Sequence, residues 1–300
     1  QRSRLWLHDE AGQWWGLPAA MLKPWLTALV ELVGERKSSD FQTTRLELTR
    51  IDALRLAADT GQAGAPGGIS ALRDVITARD VAGDDLPAPP PGLNATLRPY
   101  QLQGLAWLQA LARQHLGGVL ADDMGLGKTL QTLAHLLVEK QRGALTNPAL
   151  IVAPTSLVGN WRRECERFTP ELRLLVLHGG ERHMRFDDIV DHDIVLTTYP
   201  LLPRDGEVLV KQPWHAVVLD EAQTIKNART QAAQVVQLLR AGHRICLSGT
   251  PMENHLGEVW SLFHFLLPGY LSSENRFRSL FRNPIERQRD GERLTLLRRR

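Results

Sequence analysis

The sequence has 300 residues, enough for one large domain or two smaller ones. With 43% hydrophobic and 23% charged residues it has the balance of an ordinary globular protein, which excludes collagen-like, wholly disordered and small disulfide-stapled chains. The 36 Lys and Arg against 33 Asp and Glu leave a net charge of +3, too small to imply a partner, and the two cysteines, Cys165 and Cys246, form neither a disulfide framework nor a zinc spacing and fit a reducing compartment.

Residues 1–82 read as an accessory region. Apolar residues recur at helical spacing over 21–33 and 51–58, and 41–48 partly alternates like a strand. Trp6, Trp14, Trp15 and Trp25 are expected in its core. The best apolar run, 26–33, contains Glu31 and is too short to span a membrane. No signal peptide follows the basic start. The sequence begins without Met and ends in Leu297-Arg298-Arg299-Arg300, so it is expected to be a piece of a longer protein. Residues 61–68 form a glycine-rich loop. Residues 83–94 carry consecutive prolines, which favour a stiff, extended linker, and mark the predicted domain boundary.

Beyond the linker, short runs rich in Val, Ile and Leu lie at 118–121, 149–153, 173–177, 193–197, 216–220 and 244–247, separated by helical stretches. Most are apolar without alternation, as strands buried on both faces of a parallel sheet must be. The predicted fold is α/β: a doubly wound, mostly parallel sheet with helices on both faces, preceded by a small α+β accessory segment. Ligands in such sheets sit at the carboxyl ends of the strands.

The first run ends in Ala121-Asp122-Asp123-Met124-Gly125-Leu126-Gly127-Lys128-Thr129. Gly125 and Gly127 let backbone N–H groups turn toward phosphate oxygens, Lys128 supplies a charge for the β and γ phosphates, and Thr129 offers a hydroxyl to Mg²⁺. Asp122 departs from the usual pattern, which has Gly or Ala there. The fifth run ends in Asp220-Glu221-Ala222-Gln223. An acidic pair at a buried strand end is costly without a cation. Asp220 suits a Mg²⁺ ligand and Glu221 a base for the attacking water. The alternative is an acidic cap on the next helix.

These motifs sit in a fixed order: Leu97-Arg98-Pro99-Tyr100-Gln101, the Asp122–Thr129 loop, Ala153-Pro154-Thr155-Ser156-Leu157 with Asn160-Trp161, Asp220-Glu221-Ala222-Gln223, and Leu247-Ser248-Gly249-Thr250-Pro251-Met252-Glu253-Asn254. The stretch 95–270 resembles the first RecA-like lobe of a Swi/Snf-family DNA translocase of helicase superfamily two, a family whose loop usually has an acidic residue at the position of Asp122. The resemblance implies ATP and Mg²⁺ as cofactors and double-stranded DNA, DNA-bound proteins and a second RecA-like lobe of the same parent as partners. It implies an ATP site of Arg98, Gln101, Asp122, Asp123, Met124, Gly125, Leu126, Gly127, Lys128 and Thr129, with Gln101 reading adenine. Gln223, Ser248, Gly249 and Thr250 would couple the nucleotide site to the DNA site. Thr155, Ser156, Thr197 and Thr198 resemble positions that touch the DNA backbone, although small hydroxyls at strand ends equally suit helix caps. Residues 1–82 resemble the end of a bacterial helicase-associated region, which favours a bacterial nucleoid over a nuclear setting.

From 271 to 300, nine arginines stand against four acidic residues. This reads as a solvated helical face and, by resemblance, as the start of the helical protrusion after the first lobe. Two rival readings are an RNA helicase or strand-separating enzyme and a non-catalytic module with a degenerate nucleotide site. The Asn160-Trp161 and Trp260-Ser261-Leu262 motifs oppose the first, and intact Lys128, Asp220 and Glu221 oppose the second.

Overall fold

The computed structural model describes residues 4–8, 14–18, 51, 52, 55, 86–250 and 255–299. The helix expected over 21–33, the strand expected over 41–48, and Trp25 lie outside these residues. Of 51–58, Ile51, Asp52 and Arg55 are described, all helical. The chain divides into two compact units, residues 71–271 and residues 1–70 with 272–300.

The larger unit holds α1 (Pro99–Arg113), β3 (Gly118–Leu120), α2 (Lys128–Gln141), β4 (Ala149–Ala153), α3 (Val158–Phe168), β5 (Leu174–Val176), β6 (Ile194–Thr198), α4 (Leu202–Lys211), β7 (Pro213–Asp220), α5 (Gln231–Leu238), β8 (Arg240–Leu247) and α6 (Leu256–Leu266). Its six strands form one sheet in the order β3-β8-β7-β4-β6-β5, and every neighbouring pair is parallel. All six predicted runs are strands of this sheet.

Two cores explain why the runs do not alternate. Ile151, Leu196, Val218, Ile245 and Leu247 pack with Leu108 of α1, Leu133, Leu136 and Leu137 of α2, and Trp161 and Cys165 of α3. The intervening Leu150, Val152, Val195, Val217 and Leu219 pack with Leu202 and Leu209 of α4, Ala233 and Val236 of α5, and Leu262 and Phe265 of α6. Each face of the sheet is covered, so each strand position is apolar. Cys165 and Cys246 are free, buried core residues, and burial raises both thiols.

Residues 90–94 do not stand off as a linker. Leu93 packs against the core beside α1, the Asn94 N–H donates to Phe168 O at 2.8 Å, and Gln141 Nε2 donates to Pro91 O at 2.6 Å. The chain turns at Pro91 and Gly92, with the Leu93 N–H donating to Pro90 O at 3.3 Å and Gly92 at φ +74°, and this turn seats Leu93 against the core.

In the smaller unit, β1 (Arg4–His8) and β2 (Trp14–Pro18) form an antiparallel hairpin with His8 opposite Trp14. Trp6, Trp14 and Trp15 lie on it. The same unit contains α7 (Glu274–Phe277), a π turn (Arg278–Arg282), α8 (Asn283–Gln288) and α9 (Gly291–Arg299). The Ser273 hydroxyl caps α7, and Arg282 pairs with Glu286 one turn on. Arg55 donates to Ser272 Oγ at 3.0 Å, joining chain segments 217 residues apart.

On the α1–α2 face, His135 of α2 and His243 of β8 lie 5.5 Å apart. Gln109 of α1, Glu139 of α2, Arg142 just past its end, His215 of β7 and the loop residue His115 face them. Burial above all lowers His135 to about 3 and His243 to about 4, so both are neutral. Unfolded imidazoles titrate near pH 6.5, so below that pH the unfolded chain binds more protons than the folded one. The stability that these groups contribute is therefore complete above about pH 6.5 and is lost as pH falls toward 4 and then 3. Going from pH 7 to pH 5 should cost about 4 kcal/mol, read from urea midpoints. The double variant His135→Gln, His243→Gln should remove most of that slope.

Candidate functional site

The carboxyl ends of β3, β8 and β7 carry the nucleotide motifs. Gly125 and Gly127 have φ of +81° and +78°, which brings the loop round into α2. A Cβ on Gly127 would meet Gln101 Nε2 at 2.6 Å, so a side chain there would displace the Gln101 amide in addition to straining the backbone. Lys128 is the first residue of the 14-residue α2, and the positive end of that helix therefore faces the loop. Its ammonium donates to the carbonyls of Asp122 at 2.7 Å and Asp123 at 3.1 Å, which holds it inside the loop.

Gln101 reaches the same loop from α1. Its Nε2 donates to Leu126 O at 3.2 Å, and its Oε1 accepts from the Arg98 N–H at 2.9 Å, one half of a capping box. Tyr100 Oη also donates to Leu126 O. Gln131 Nε2 donates to Asp122 Oδ2 at 2.9 Å, so the acidic residue that departs from the common loop pattern is tied to α2. Arg98, Asp123 and Met124 are exposed. If Gln101 reads adenine, Gln101→Ala should shrink the preference for ATP over GTP measured by nucleotide titration. An unchanged ratio would remove Gln101 from the base site.

Asp220 ends β7 and is 7% exposed. Both carboxylate oxygens have a donor: Trp161 Nε1 to Oδ2 at 2.8 Å, and the Glu221 N–H to Oδ1 at 3.0 Å. Tyr199 Oη donates to the Asp220 carbonyl at 2.8 Å. Burial pushes the Asp220 carboxyl above its usual range; the indole N–H opposes this, and the Glu221 charge adds to it. The Lys128 charge acts on Asp220 in the opposite sense to burial, which places the loop lysine within electrostatic reach.

Glu221 sits at φ +49°, a left-handed conformation that costs a non-glycine residue about 1 kcal/mol or more. It is held there by contacts on both sides. Gln223 Nε2 donates to Glu221 Oε2 at 2.7 Å, Ser248 Oγ donates to Gln223 Oε1 at 2.9 Å, and the Thr250 N–H donates to Ser248 Oγ at 3.0 Å. A Cβ on Gly249 would come within 3.0 Å of Met124 Cγ, so the turn after β8 lies against the phosphate loop. Residues of the last motif beyond Thr250, Pro251 to Asn254, lie outside the described residues.

The four hydroxyls expected to face DNA separate into two pairs. Thr155 and Ser156 are exposed in the turn before α3. Thr197 and Thr198 are 1% exposed each at the end of β6, where they pair with Val152 and Ala153 of β4; Thr197 Oγ1 donates to Leu177 O. Neither buried hydroxyl is presented to a phosphate in this conformation. Tyr100, Gln131, Trp161 and Tyr199 also touch the site. Trp161, Tyr100 and Gln131 stand within motifs visible in the sequence, whereas nothing local marks Tyr199.

The oxygen donors suit Mg²⁺. Asp220 offers a carboxylate and Thr129 a hydroxyl at the first turn of α2, and this ion takes one or two protein oxygens, keeping waters and phosphates for the rest. Among the described residues no group of three His, Cys, Asp or Glu is arranged as a metal cage. No described helix is long and apolar enough to cross a membrane.

A six-stranded parallel sheet with a glycine loop entering a helix after one edge strand and an acidic pair closing a central strand defines a RecA-like lobe of the phosphate-loop class. Residues 100–299 match the SNF2-related domain, and the chain belongs to that family. It is 47% identical over 208 residues to the putative ATP-dependent helicase/translocase YwqA of Bacillus subtilis, covering 68% of this chain and 22% of that protein. It is 40% identical over 216 residues to the TATA-binding protein-associated factor MOT1 of Saccharomyces cerevisiae, covering 68% of this chain and 12% of that one. The chain thus spans about a fifth or less of the length of these relatives. The solved Sulfolobus solfataricus SWI2/SNF2 ATPase core in complex with dsDNA superposes with a TM-score of 0.66 at 39% identity, over 72% of this chain and 45% of that one.

Proposed function

We propose that this chain is the first lobe of a motor that hydrolyses ATP to translocate along double-stranded DNA and thereby remodels or displaces proteins bound to it. Residues 95–270 are the lobe, 1–82 an accessory region joined by 83–94, and 271–300 the start of a helical protrusion. The observation that carries the reading is the convergence of Lys128, Asp220 and Glu221 at one end of the parallel sheet, with Glu221 joined through Gln223 and Ser248 to the turn after β8.

The work of the residues follows from their chemistry. The glycine loop and α2 receive the polyphosphate, and the Lys128 ammonium exchanges the Asp122 and Asp123 carbonyls for phosphate oxygens. Thr129 and Asp220 would hold Mg²⁺, which would neutralise the phosphate charge. The Glu221 carboxylate orients the attacking water and takes its proton. Gln223 binds that same carboxylate, so a shift of Ser248 or Thr250 on DNA engagement changes how Glu221 is held. Thr155 and Ser156 meet the DNA backbone. A second RecA-like lobe of the parent closes the cleft.

Duplex DNA is supported by the SWI2/SNF2 core solved with dsDNA, and a DNA-bound protein target by the MOT1 relative, named for its association with TATA-binding protein. The higher identity to the Bacillus relative favours a bacterial nucleoid. A triplex-displacement assay on the full-length parent tests translocation: ATP should release the third strand without separating the duplex. Separation of the duplex strands, or no release by the parent, would contradict the reading.

A further inference from the structure

Trp161 stands between the two functions of this lobe. It lies on the first turn of α3, five residues after Ser156, and its ring is 2% exposed within the core that also holds Ile151, Val218 and Leu247. Its one polar atom, Nε1, spans 59 residues of sequence to reach Asp220 Oδ2 at 2.8 Å. A core indole needs a partner for its N–H, and here the partner is a nearly buried carboxylate rather than a backbone carbonyl.

The other Asp220 oxygen already accepts from the Glu221 N–H, and the carbonyl accepts from Tyr199 Oη. A carboxylate turns about its Cβ–Cγ bond unless its two oxygens are distinguished. The Glu221 amide fixes one oxygen from within the chain, and the indole fixes the other from a neighbouring helix. The lone pairs left over are the ones available to a cation.

We infer that Trp161 is a positioning residue for Mg²⁺: its indole N–H holds the Asp220 carboxylate in the orientation that binds the metal of MgATP. The inference rests on the assignment of Asp220 as a metal ligand. It separates metal binding from nucleotide binding, because Trp161 makes no contact with the phosphate loop that the described hydrogen bonds record.

The test is calorimetric titration of ATP into the purified chain with and without MgCl₂, for the unmodified protein, Trp161→Phe, Asp220→Asn and the double variant. Phe keeps an aromatic ring in the core and removes the donor. Circular dichroism and the melting temperature of each variant establish that it is folded. In Trp161→Phe, affinity for MgATP should fall about ten-fold, the scale of a hydrogen bond to a charged group, while affinity for metal-free ATP is unchanged. In the Asp220→Asn background the Trp161→Phe change should have no further effect on the Mg²⁺ enhancement, because the indole acts through the carboxylate. Equal losses of ATP and MgATP affinity would show a merely structural indole and overturn the inference. So would an additive effect in the double variant, or an undiminished Mg²⁺ enhancement in Trp161→Phe. If the unmodified chain shows no Mg²⁺ enhancement, or Asp220→Asn retains it, the assignment of Asp220 falls, and the inference with it.

Discussion

Glu221→Gln should abolish ATP turnover in the parent enzyme while leaving ATP affinity within about two-fold, since the change removes a proton acceptor and not a phosphate contact; a positioned base is worth roughly 10²–10⁴-fold in rate. The amide is the same size and can still accept from Gln223 Nε2, so the chain of contacts through Ser248 persists. Asp220→Asn should behave differently. It removes the charge from the metal ligand, so MgATP affinity should fall together with turnover. Equilibrium binding and steady-state hydrolysis measured on both variants separate the roles. Equal loss of binding in the two would contradict the division between a metal ligand and a base.

Joining a second RecA-like lobe should raise turnover by the largest factor. Across related phosphoryl transfers an arginine supplied from outside the phosphate loop is worth roughly 10³–10⁵-fold, because it stabilises charge on the transferring phosphate. Lys128, Thr129, Asp220 and Glu221 bind and orient, but none of the contacts around them includes such an arginine among the described residues. Residues 1–300 alone should therefore show little ATPase stimulated by duplex DNA. DNA affinity should also be lower, since counterion release scales with the phosphates contacted. A steady-state assay at saturating duplex DNA compares the two forms. Turnover by residues 1–300 equal to that of the two-lobe protein would sink the prediction and would direct attention to the arginines of 276–300.

The strands were legible because burial on both faces writes itself as uninterrupted Val, Ile and Leu. Their starts were less so. β7 begins at Pro213 and β8 at Arg240, upstream of the apolar runs, and the two strands pair from there, Pro213 with Arg240 and Trp214 with Ala241. Proline is admissible at a first strand position, which composition alone does not reveal. Thr197 and Thr198 resemble positions that touch the DNA backbone, and as strand-end hydroxyls equally suit helix caps, yet both are buried beside Val152 and Ala153 of β4. Position in the sheet order, not residue type, decides their exposure. The Gly–Lys–Thr loop and the acidic pair were legible since their chemistry is carried by contiguous residues. The bonds that brace the acidic pair were not: Trp161–Asp220 and Ser248–Gln223 span 59 and 25 residues and exist only once the sheet brings strand ends together. Gln101 was expected beside the base. It also caps α1 and braces the loop at Leu126, a second task set by tertiary packing.

The measurement that bears most directly on the reading is ATP turnover by the full-length parent with duplex DNA, single-stranded DNA and RNA compared side by side at one salt concentration. A motor built on this lobe should be stimulated most by duplex DNA, and Lys128→Ala should remove that stimulation. Equal or greater stimulation by RNA would mark an RNA helicase, and no turnover with any of the three would mark a binding module.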